Sequence, residues 1–141
     1  MHLNTLHYIT IVGNKYIGKK QIIKNIISGK HLHPSLPRIN KDTQLVNCNN
    51  KFYGYKINPL DIFKSIKNIK RSAYIVVDTT NIQSINSIPF WYNKLRVNKM
   101  ETDNIFIILI KKDNECITSL SLHHYIIQFC TLNKIKLINI N

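Results

Sequence analysis

The alternation of apolar and polar positions divides the chain into short, well-punctuated elements. Leu6 to Val12 (LHYITIV) is a β-rich apolar run ending at Gly13. Lys19 to Ser28 then repeats isoleucine at Ile22, Ile23, Ile26 and Ile27, a helical spacing closed by Gly29. The pattern predicts strand, glycine loop and helix in succession. From His31 to Lys41, Pro34 and Pro37 impose an irregular segment, after which Gln44–Cys48 and Lys51–Ile57 flank Asn49-Asn50 as a predicted hairpin. Pro59 opens a lysine-rich helical or loop stretch. Ala73 to Val77 (AYIVV) is a continuous apolar strand. A helix follows over Asn81–Val97, carrying Ile82, Ile85, Trp91 and Leu95, with Pro89 expected to bend or interrupt it. Ile105–Ile110 (IFIILI) is a second fully apolar strand, Ser119–Leu132 a helix and Ile135–Ile140 a final strand.

Continuous apolar strands alternating with helices imply a mostly parallel sheet covered on both faces. Right-handed crossovers then give an α/β three-layer sandwich of six strands, the hairpin adding one antiparallel edge strand. The 141 residues contain no Pro/Gly/Ser-rich linker, so residues 1–141 are read as one domain.

Charge narrows the partners. Twenty Lys and Arg against seven Asp and Glu give a formal net charge of +13, which favours phosphate, an anionic membrane surface or nucleic acid. The heavy use of Ile, Asn and Lys fits an AT-rich coding bias, which lowers the weight of any single lysine. Cys48, Cys116 and Cys130 are widely spaced and odd in number, which argues against a disulfide framework or zinc knuckle. A reducing, cytoplasmic setting is expected. No apolar run is long enough to span a bilayer, and the ends are expected to carry no covalent lipid anchor: His2 follows Met1, and Asn141 closes no prenylation box.

The first glycine loop carries chemistry. In Gly13-Asn14-Lys15-Tyr16-Ile17-Gly18-Lys19-Lys20, Gly13, Gly18 and Lys19 have the spacing of a phosphate-binding loop, between a strand and a helix. Such a loop turns backbone N–H groups toward phosphate, and its Lys reaches the terminal phosphates. The last position normally offers a Mg²⁺-ligating hydroxyl, whereas Lys20 offers an ammonium that cannot ligate a cation.

The chain at this point resembles the Ras/Rab-like small GTPases over nearly its whole length. YITIVGNKYIGKK looks like that family's first strand and phosphate loop. AYIVVDTTNIQSINSIPFWYNKL, with Asp78, Thr79, Thr80, Ser84 and Trp91, resembles its central strand and following helix. IFIILIKKDNE is similar to the strand that ends in the guanine-reading NKxD motif. The resemblance implies GTP or GDP as ligand. It implies phosphate contacts from Gly13, Asn14, Lys15, Gly18, Lys19 and Lys20, guanine contacts from Lys111 and Asp113, and a switch I position at Ser35.

The departures are as informative. Ile110 stands where NKxD has Asn. The family's DxxG falls on Asn58-Pro59-Leu60-Asp61, and its water-orienting glutamine on Ile62. With these groups and the Mg²⁺ hydroxyl gone, most of the electrostatic positioning for phosphoryl transfer is gone. No catalytic residue and no metal ligand is assigned, and Mg²⁺ is not expected as a cofactor. The final helix of the family has no counterpart before Asn141, so, with the family's sheet order, an apolar strip of one sheet face is expected either to be protected by another element or to seek a partner. The preferred expectation is a pseudo-GTPase with weak or absent guanine-nucleotide binding that meets effectors or regulators of small GTPases. Two alternatives stay open: slow GTP hydrolysis assisted by a partner, and a basic nucleic-acid-binding module on the same scaffold.

Other features weigh less. His31 and His33, or the adjacent His123 and His124, lack a third ligand at zinc spacing. Phe90, Trp91 and Tyr92 read as helix-face packing before base stacking. Lys64, Lys67 and Lys70 form one face of a predicted helix, expected to be solvated or to contact phosphates.

Overall fold

The computed structural model describes residues 6–15, 17–40, 43–48, 69–110 and 120–140. Strand β1 (Leu6–Val12) leads through the glycine loop into helix α1 (Lys19–Ile27), and an irregular stretch returns the chain to β2 (Thr43–Cys48). Next come β3 (Ile69–Asp78), α2 (Ile82–Asn86), α3 (Ile88–Val97), a single 3₁₀ turn (Thr102–Asn104), β4 (Ile105–Ile110), α4 (Leu120–Asn133) and β5 (Lys136–Ile140). The described strands form one five-stranded sheet in the order β2-β1-β3-β4-β5, parallel at every pairing.

This corrects the expected sheet in one respect. Thr43–Cys48, expected as one arm of an antiparallel hairpin, lies directly beside β1, His7 opposite Thr43 and Val12 opposite Cys48, in parallel register. A parallel partner requires a crossover, and α1 with the loop behind it supplies one of the necessary length. The other predicted hairpin strand, Lys51–Ile57, lies outside the described residues, so a sixth strand and an antiparallel edge are not part of the described sheet. Lys70 and Arg71, expected on a helix, belong to β3, because Leu6 of β1 pairs with Ile69 and draws the strand start back to that point.

Both faces are packed. Ile9 and Ile11 of β1, Tyr74 and Val76 of β3, and Phe106 and Ile108 of β4 lie with Ile22 and Ile26 of α1 on one face. On the other, Val12, Ile75, Val77, Ile107 and Leu109 meet Ile85 of α2, Trp91 and Leu95 of α3, and Ile126 and Cys130 of α4. The period-2 alternation along each strand assigns successive residues to opposite layers. Tyr92 and Phe129 join α3 to α4 by an edge-to-face contact with centroids 5.4 Å apart. The apolar side chains of the last two strands are covered: Phe106 of β4 is 5% exposed and Ile138 of β5 3%. Burial pushes the Cys130 thiol up to about 11, as befits a core residue.

The helix expected over residues 81–97 is divided. Asn81 caps α2 by accepting the Ser84 backbone N–H at 3.1 Å, and Ser87 separates α2 from α3. Pro89 falls in the first turn of α3, where its missing N–H costs nothing. Among the described residues, no helix is long and apolar enough to cross a membrane.

At the opposite end of the sheet, His7 Nε2 lies 3.1 Å from Ser72 Oγ. Burial, and then the Lys70 charge, hold this imidazole below its ordinary 6.5. Just below that pH the unfolded chain takes up a proton that the folded chain refuses, so folding stability falls as the pH drops. The midpoint of thermal unfolding should be lower at about pH 5.5 than at about pH 7.5. His7→Gln should make that slope shallower, read by scanning calorimetry.

Candidate functional site

In the order β2-β1-β3 the chain leaves β1 toward one edge and β3 toward the other. The connections diverge, which makes the carboxyl ends of these two strands a topological switch point, the place where open α/β sheets bind ligands. The loop after β1 is Gly13–Gly18 and the turn after β3 begins at Asp78. The candidate site is therefore set by topology before any side chain is considered.

Gly13 and Gly18 shape the loop. Gly13 has φ +150°, and a Cβ there would stand 2.6 Å from Ile17 Cδ1 and 2.8 Å from the Val76 carbonyl oxygen. Gly18, at φ +102°, precedes α1 in a conformation that side chains avoid. Ile17, fully buried, packs beneath the loop with Ile9 and Ile11. Lys19 is only 5% exposed, and its Nζ donates to the Gly13 carbonyl at 2.7 Å, so the ammonium is tied across the loop to its first residue. Lys15 and Lys20 face solvent.

Asp78, 4% exposed, stands on the other side of this switch point, at the end of β3. Its Oδ1 accepts the Thr80 backbone N–H at 2.8 Å and the Thr80 hydroxyl at 2.6 Å, and its own N–H donates to the buried Ser84 Oγ at 3.0 Å. Carboxylate, hydroxyl and helix cap together fix the turn between β3 and α2. Thr79 donates its N–H to the Ile110 carbonyl at 3.1 Å, which ties this turn to the end of β4.

Two contacts were not legible in the sequence. Trp91, read there as helix packing, donates its indole N–H to Asn14 Oδ1 at 3.3 Å, and Asn14 Nδ2 donates to the Gln83 carbonyl at 3.3 Å. Asn14 of the glycine loop is thereby pinned to α2 and α3. The one available signal was chemical: a buried tryptophan usually finds an acceptor for its N–H. Ile110 is the other. Where the resemblance expects a guanine-site asparagine, the Ile110 side chain lies against Gly18, 3.1 Å from where a Cβ on that glycine would be.

The remaining expected site residues fall elsewhere. Ser35 is exposed, donates its N–H to His33 Nδ1 at 3.1 Å and lines a cavity at the amino ends of the strands, with the length of β1 between it and Gly13. Tyr16, Lys111, Asp113 and residues 58–62 lie outside the described residues. The Mg²⁺ donor set does not fit: Lys20 replaces the ligating hydroxyl with an exposed ammonium. Among the described residues no group of three His, Cys, Asp or Glu side chains could hold a metal.

No protein-family model matches the chain, and no curated protein matches it. The functional reading rests on the residues of the site.

Gly13→Ala should destabilise the fold by about 1–3 kcal/mol, since both the backbone conformation and the Val76 carbonyl resist a methyl group. Lys15→Ala, at an exposed position in the same loop, should change stability by no more than about 0.5 kcal/mol. Urea unfolding of the two variants measures the difference.

Proposed function

We propose that this chain is a divergent small-GTPase-like protein that keeps a phosphate-binding loop as a scaffold, has lost efficient GTP hydrolysis and acts through protein contacts. The observation that carries the reading is Lys19: a buried ammonium held against the Gly13 carbonyl, inside a loop of phosphate-binding spacing, at the switch point of a doubly wound sheet. A helix amino end, a glycine loop and a lysine together favour a phosphate-bearing ligand there.

The surroundings favour a weakened site. Lys20 supplies charge but no metal ligand, so phosphate oxygens would meet an ammonium in place of a cation. Ile110 supplies packing against Gly18 and no hydrogen bond to a base. A guanine-contacting role for Lys111 and Asp113, with switch I at Ser35, remains part of the family-like reading and not of the described geometry. The partners proposed are effectors or regulators that recognise a small-GTPase surface.

Titration calorimetry with GTP and GDP, repeated with Mg²⁺ chelated, tests this reading. The expected result is affinity of roughly micromolar or weaker, unchanged by chelation, lost in Lys19→Ala, and without phosphate release above buffer. Tight Mg²⁺-dependent binding with turnover would overturn it and favour a partner-assisted GTPase.

A further inference from the structure

A cavity of about 900 Å³ opens at the amino ends of β1, β3 and β4, opposite the glycine loop. Four cationic side chains, Arg38, Lys70, Arg71 and Lys99, line it, and Glu101 is its one carboxylate among the described residues. With His7 neutral, the formal charge of this lining is +3, from four cations and one anion.

Of these groups, Arg71 is the one with a buried donor left without a partner. Its Nη2 donates to the Asn98 carbonyl at 3.1 Å, while its buried Nε has no acceptor. Among the described residues no carboxylate pairs with this partly buried guanidinium, an arrangement that an anion would complete. The surrounding loops add neutral groups able to bond phosphate oxygens: Ser35, Asn40 and Asn104.

We infer that this cavity is a binding site for a small anion carrying two or more phosphate groups, either free in solution or as the headgroup of a lipid. The volume falls within the roughly 300–1,000 Å³ of small-molecule sites. The concave shape suits a compact ligand better than a nucleic-acid strand, which needs an extended basic track with stacking surfaces. Guanidinium forks match phosphate geometry, and Arg38 and Arg71 enter from different segments, the loop after α1 and strand β3. The site is independent of the glycine loop, about 20 Å away along the seven residues of β1.

Calorimetric titration of the full chain with inositol 1,4,5-trisphosphate and with inorganic pyrophosphate tests the inference, alongside flotation with phosphatidylcholine vesicles with and without phosphatidylinositol 4,5-bisphosphate. Arg38 and Lys99 are exposed, so Arg38→Glu/Lys99→Glu should fold, as circular dichroism would verify. That double variant should bind inositol trisphosphate at least about tenfold more weakly, a loss of about 1.4 kcal/mol. Lys24→Glu/Lys134→Glu, with the same charge change at exposed positions outside the cavity, should bind as the parent does. Binding to both soluble and vesicle forms assigns the ligand to a lipid headgroup, and binding to the soluble form alone assigns it to a free phosphate ester. Equal losses in the two double variants would overturn the site in favour of diffuse charge attraction. Failure of both soluble phosphates to bind would overturn it too, as would displacement of inositol trisphosphate by a short single-stranded RNA that binds more tightly.

Discussion

The parallel pairing of β1 with two neighbours is the constraint on which the rest of the molecule depends. Seven consecutive residues of β1 pair with β3, from Leu6 opposite Ile69 to Val12 opposite Ile75, and six pair with β2. Each pairing aligns the carboxyl ends of the strands, which brings Gly13 and Asp78 to the same edge. Each also aligns the amino ends, which brings His7, Lys70 and Ser72 together at the other. A one-residue slip between β1 and β3 would turn Ile75 and Val77 toward α1 and Tyr74 toward α3, so core packing holds the register that both edges need.

Elements whose signal is local were legible in the sequence. β1 and β4 occupy the residues their apolar runs indicate, and Pro89 marks the break that separates α2 from α3. Elements whose signal is a partner were not. The TQLVNC segment carries nothing that distinguishes a parallel from an antiparallel neighbour, so its parallel pairing with β1 is visible only in the fold. Residues 69–72 have lysine at helical spacing but extend β3 because β1 offers them hydrogen bonds. The ends of α3 and α4 were similarly obscure, since Lys99 and Lys134 take the left-handed conformation usually given to glycine, at φ 65° and 56°.

The site divides along the same line. Gly13, Gly18 and Lys19 are recognisable because a phosphate loop is a fixed spacing within one connection. The tether from Trp91 to Asn14 spans 77 positions and is visible only once α3 lies beside the loop. The basic cavity is harder still, because Arg38, Arg71 and Lys99 come from three separate segments that only the fold brings together. Such sites are products of the fold, and composition hides them in a chain where lysine is common.

Composition also explains why Lys19 carries so much of the functional argument. A coding bias toward lysine adds ammonium groups where water receives them at no cost, and Lys15, Lys20, Lys24, Lys30, Lys70, Lys99, Lys134 and Lys136 are all exposed. Among the described lysines only Lys19 is buried. Taking an ammonium out of water is costly unless hydrogen bonds replace its hydration. Mutational drift toward lysine does not generate that arrangement. It requires a glycine at position 13 whose carbonyl can turn inward, an isoleucine at 17 to fill the space beneath, and a helix beginning at 19 to carry the side chain back across the loop. Those requirements are met together at Gly13–Lys19, which is why this lysine, and not the net charge, is what supports the proposed phosphate ligand at the loop.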